Sequence, residues 1–76
     1  MNRIRRKALA EIQAELEELK AQLETLKDEE EEYRDNMPEN LQGSERYEIA
    51  DAACDNLDSA FGSLEEAISC IEEACV

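Results

Sequence analysis

The side chains of this 76-residue sequence that could carry chemistry are three cysteines (Cys54, Cys70, Cys75), twenty-one carboxylates, and a cluster of arginines, tyrosines and carboxamides around its one proline. Metal chemistry lacks its usual donors. There is no His and no CxxC, so neither a zinc site nor the ExxH motif of di-iron bundles can be assembled. The run "DEEEEY" (Asp28 to Tyr33) lacks the central glycine and alternating ligands of a calcium loop, and reads as a solvated charge run. A cysteine nucleophile needs a thiolate supported by a base or by cations, and acidic surroundings oppose one. The chain is therefore read as non-enzymatic, with no catalytic residue, metal or cofactor.

The remaining cluster lies in "YRDNMPENLQGSERYE", residues 33 to 48. Tyr33, Arg34, Asn36, Asn40, Gln42, Ser44, Arg46 and Tyr47 are its candidate ligand or partner contacts. One reading is a cap, in which Tyr33, Met37, Leu41 and Tyr47 close a bundle end and the amides satisfy frayed backbone groups. The other is a small polar pocket. A helix starting at Ser44, with Arg46 nearby, would there hold a phosphate-bearing ligand.

The elements that must position this cluster are counted in sevens. Leu9, Ile12, Leu16, Leu19, Leu23, Leu26, Glu30, Tyr33 and Met37 alternate spacings of three and four, a heptad seam with Leu9 at position a. Glu30 is its one fault, placed to reach Arg34 a turn later. From Tyr47 the seam resumes through Ala50, Cys54, Leu57, Phe61, Leu64, Ile68, Ile71 and Cys75. Pro38 and Gly43 punctuate the interval, and Ser44 is a fitting N-cap. These signals predict an all-α domain, a coiled-coil-like antiparallel two-helix hairpin. Its helices span about residues 3–36 and 44–75, with a loop at 37–43.

The flanking charges predict the register. Pairing Arg34 with Asp51 sets Lys27 against Asp58, Lys20 against Glu65 and Gln13 against Glu72. The residue numbers of each pair sum to 85. This alignment predicts that the basic start (Arg3, Arg5, Arg6, Lys7) lies beside the acidic turn at Glu72 and Glu73. A chain this short buries only about 60% of its unfolded surface, so oligomerisation is the expected stabiliser. Ala53, Ala60, Ala67 and Ala74 recur every seven residues on the second helix and are the candidate oligomer interface. Packing one such row on another predicts a two-fold dimer, a four-helix bundle.

The net charge is −13, and the chain from Ala8 onward carries four basic and twenty-one acidic residues. Such a surface repels nucleic acid and anionic membrane and suits a basic partner. Glu29, Glu31, Glu32, Asp55, Glu66 and Glu73 are the candidate acidic partner surface. No apolar run approaches the roughly 18 residues of a membrane span, and no signal-peptide pattern follows the basic start, so a cytoplasmic protein is expected.

The segments "EEEEYRDNMPENLQGSERYE" and "DNLDSAFGSLEEAISCIEEA" carry a resemblance. From about Glu15 the chain resembles a group of short, acidic helical proteins of phages and mobile elements of gut Firmicutes. The resemblance implies an accessory or anti-defence factor acting in the bacterial host, and no catalytic residues. Three functional expectations follow. In the leading one, carboxylate rows imitate DNA phosphates and occupy a basic host protein. The alternatives are an oligomeric sponge for a small nucleotide immune signal held at the loop, and a purely structural assembly module.

Overall fold

A computed structural model describes residues 1–76: α1 (Arg3–Asp35), a 3-10 turn (Glu39–Leu41) and α2 (Glu45–Ala74), with no strand. Good helix formers fill α1 without a glycine or proline. Asn2 caps its start, its Oδ1 accepting a 2.7 Å hydrogen bond from the Arg5 amide. Pro38 disfavours helical backbone at Met37, and α1 ends two residues earlier at Asp35, with Asn36 as C-cap. The chain then reverses through the 3-10 turn and Gly43, whose φ of 90° lies in the left-handed region that glycine adopts without strain. Ser44 fastens the far side: its Oγ donates to the Leu41 carbonyl and accepts from the Tyr47 amide at 3.3 Å. Glu45 and Glu48 in the first turn of α2 complement its positive dipole end.

The helices pack against each other as a hairpin, a rod of 59 × 15 × 13 Å. The charges set its register. Arg34 lies 3.0 Å from Asp51, Lys27 3.8 Å from Asp58 and Lys20 3.9 Å from Glu65. Gln13 Nε2 donates to Glu72 Oε1 at 2.9 Å.

α2 turns its a and d positions inward, with Ala50, Cys54 and Ile68 buried. α1 departs from the predicted seam. Leu9, Leu16, Leu23 and Glu30 at a are half-buried and Met37 is buried, but the residues beside them in the interface are Gln13, Lys20, Lys27 and Arg34 at e. The d row stands outside: Ile12, Leu19, Leu26 and Tyr33 are between 47% and 57% exposed. An a/e rather than an a/d seam amounts to rolling α1 by roughly 50° about its axis. The long aliphatic stems of the e cations cover the α2 seam while their heads reach the α2 carboxylates.

The basic start also departs from expectation. α2 ends level with Glu11, so the first two turns of α1 have no α2 residue beside them. Every salt bridge is made by Lys20, Lys27 or Arg34, and none by Arg3, Arg5, Arg6 or Lys7. Arg6 instead bonds the Met1 carbonyl at 2.6 Å.

Candidate functional site

The e–e contacts divide the rod into two long faces. One carries the ion pairs. Between its cations lies Phe61, with Lys20 Nζ 5.4 Å and Lys27 Nζ 5.7 Å from the ring centroid, a doubled cation–π contact. Partial burial works against the Lys27 ammonium. The hydrogen bond and charge of Glu31, with Asp28 and Asp58, outweigh it and hold its pKa above the ordinary lysine value. Arg34 is likewise held firmly protonated, first by its 3.0 Å hydrogen bond to Asp35. Arg34 thus serves Asp35 and Asp51 and does not pair with Glu30. The b positions Glu17, Glu24, Glu31 and Asp55 flank this face, which is therefore rich in carboxylates.

The opposite face is apolar. The ion-pair register brings Ile12 level with Ala74, Leu19 with Ala67, Leu26 with Ala60 and Tyr33 with Ala53. A row of half-exposed bulky side chains runs beside a row of alanines. Ala60, Ala67 and Ala74 are exposed and Ala53 is half-buried, and no part of the hairpin covers either row.

At the loop end this face opens into two grooves either side of Tyr33 and Arg46. The larger, about 590 Å³, has an apolar floor of Tyr33, Met37, Pro38 and Leu41 and a rim bearing Glu29, Glu32 and Arg46. The smaller, about 330 Å³, adds Glu30, Glu45 and Ile49. Of the eight loop residues singled out in the sequence, Tyr33, Asn36 and Arg46 line the larger groove. Arg34 is turned into its ion pairs, Ser44 is the α2 cap, and Asn40, Gln42 and Tyr47 stand apart. A phosphate here would meet Glu29 and Glu32 alongside a single arginine, so the groove's electrostatics suit a cation better than an anion. No family model, curated protein or solved structure matches this chain.

The other singled-out carboxylates behave differently from one another. Glu31 is engaged by Lys27 at 3.4 Å, whereas Asp55, Glu66 and Glu73 are exposed and unpaired. No three His, Cys, Asp or Glu side chains are arranged to hold a metal ion. No helix is long and apolar enough to cross a membrane. Cys54 is buried, Cys75 half-buried and Cys70 exposed, and no two are bonded. Burial raises the Cys54 thiol above its ordinary value, despite the opposing charge of Arg34. Sequence reasoning treated Glu29 and Glu32 as outer charges rather than as groove walls. The spacing of four from Glu29 to Tyr33 and from Glu32 to Asn36 on α1 was the available signal.

Proposed function

We infer that the chain is a non-catalytic binding protein that works as a pair of hairpins and presents its carboxylates to a basic partner. The observation that carries this reading is the division of the rod into two faces: an uncovered apolar row on one side, and carboxylates on the other. The accessible surface is 5711 Å². A folded chain of 8.7 kDa exposes about 4,700 Å² by the usual mass scaling. The excess of roughly 1,000 Å² is close to the ~800 Å² that each partner buries in a standard interface. Pairing through the apolar face would leave the carboxylate faces outward on both sides of a four-helix bundle. Rows of like charge about 10 Å apart along a rigid rod would imitate the charged rows of a nucleic-acid backbone. With the mobile-element resemblance, this supports an accessory or anti-defence factor that occupies a nucleic-acid-binding host protein.

Capture from bacterial lysate, followed by DNA competition, tests the reading. A basic nucleic-acid-binding protein should be retained, released steeply as salt rises from about 50 to 200 mM, and displaced by duplex DNA. Asp55→Asn, Glu66→Gln and Glu73→Gln together should weaken retention. Retention indifferent to salt and to DNA would overturn it. The apolar face equally suits a purely structural assembly piece. That reading is favoured if the three carboxylate substitutions leave activity intact while Leu19→Glu abolishes it.

A further inference from the structure

The charge distribution along α1 is unusual for a helix that stands alone. Its first turns carry Arg3, Arg5, Arg6 and Lys7, with no acid among them. Its last turns carry Asp28, Glu29, Glu30, Glu31, Glu32 and Asp35. Cations at the positive dipole end and carboxylates at the negative end both oppose the macrodipole. Within the hairpin the four cations gain no ion pair in return, and Ile4 among them is 82% exposed. At the other end of the same helix lies a groove with an apolar floor and two carboxylates on its rim. Each end of the rod presents what the other lacks.

Resting on the pairing of hairpins inferred above, we propose that a second copy docks antiparallel on the apolar face. The start of its α1, carrying Ile4 and Arg5, fills the groove beside Tyr33. Two independent patterns give the same register. Laying the bulky row of one α1 on that of another, with Leu19 on the two-fold axis, sets Ile12 opposite Leu26 and Tyr33 opposite Arg5 of the partner. The same alignment brings Arg5 and Arg6 of one copy level with Tyr33 and Glu32 at the groove of the other. Because Ala67 is level with Leu19, the axis also passes between the two Ala67 residues. Ala60 of one copy then meets Ala74 of the other, and the alanine rows close the second seam.

The competing two-fold axis, along the rod, would set α1 on the partner's α2 with both loops at one end. It would place the two basic starts side by side and the two acidic grooves side by side, so charge disfavours it. In the antiparallel pair Arg5 enters a ring in which Glu29 and Glu32 outnumber Arg46, and it meets the face of Tyr33. Ile4 loses its exposure against Met37 and Pro38.

Disulfide trapping and sedimentation test this together. In a Cys54→Ala, Cys70→Ser, Cys75→Ser background, one preparation carries Ile4→Cys and another Asn36→Cys. A disulfide-linked pair should form in the mixture, and in neither preparation alone. Pairs that form within each single preparation but not between them place both loops at one end and overturn the proposal, leaving the dimer standing. A single-hairpin mass at all concentrations overturns both the proposal and the pairing on which it rests. As a check that needs no cysteine, Arg5→Glu should raise the dimer dissociation constant about tenfold, since the dimer holds two copies of the contact. Adding Glu32→Arg to that variant should recover it, and an unchanged constant in Arg5→Glu would overturn the proposal.

Discussion

Replacing Leu19 by alanine separates a lone hairpin from an assembled one. Full burial of a leucine stabilises by ~1.5–3 kcal/mol. Leu19 is 53% exposed, so the hairpin by itself realises about half of that, roughly 1 kcal/mol. If the apolar face is covered on association, each chain gains the other half. Two chains then contribute about 2 kcal/mol to the dimer through this residue, a factor of ~30 in its dissociation constant. Leu23, half-buried at position a inside the hairpin seam, is the control. Thermal unfolding across a hundredfold range of chain concentration reads both. The midpoint of the parent should rise with concentration. Leu19→Ala should lower it most at high concentration, and Leu23→Ala should lower it about equally throughout. A parent midpoint independent of concentration, with equal losses in the two variants, would refute the reasoning.

Gly62→Ala should stabilise the fold by ~0.5–1 kcal/mol, because an added Cβ meets nothing within 4 Å and the helix loses its one flexible residue. Its melting temperature should rise by about 3–8 °C, and an unchanged melt would count against the open helical position of Gly62 in α2. Gly43→Ala, at a φ of 90°, should destabilise by about 1 kcal/mol in the same assay although the space there is also open. A thiol reagent should label Cys70 within the mixing time and Cys54 only as fast as the hairpin opens, and equal rates would contradict the burial of Cys54. Because the folded Cys54 pKa is raised, its contribution to stability is complete below the ordinary thiol value of 9.0. It is lost as pH climbs through the folded value. Denaturant titrations at pH 7, 9 and 10 should show that decline in the parent and a smaller one in Cys54→Ala.

The hairpin, its turn and its register were legible because each leaves a local or periodic mark. Pro38 and Gly43 fix the reversal. The alternation of three and four fixes the helices, and opposite charges at e fix the alignment. The roll of α1 was not legible from periodicity alone. A heptad pattern says which rows neighbour the seam, but not which flank turns inward. Here the choice falls to the lysines and arginine at e, whose heads reach the α2 carboxylates, those of Lys20 and Lys27 lying over the Phe61 ring. The sequence held a hint in the pairing of four e acids with three e cations. The leucines at d mask it, because burial within one chain is the usual expectation for leucine. The grooves were harder still. They lie where the end of α1 meets the loop and the first turns of α2, so the residues lining them come from segments that the repeat does not join. Asn2 as a cap and the 3-10 turn inside the loop left only weak signals, being single residues outside the repeat.

Three of the four buried side chains, Met37, Ala50 and Cys54, lie in the loop-proximal part of the rod, and only Ile68 lies further along. This uneven core gives folding a direction. The contacts nearest the turn close the smallest loop and lose the least chain entropy, while those between Gln13 and Glu72 must wait for everything between them. The hairpin should therefore zip from Gly43 outward and open from its far end inward. Amide exchange should be slowest near Ala50 to Leu57 and grow faster toward Cys75. The end that opens first is also the end where the basic turns of α1 stand without a neighbour.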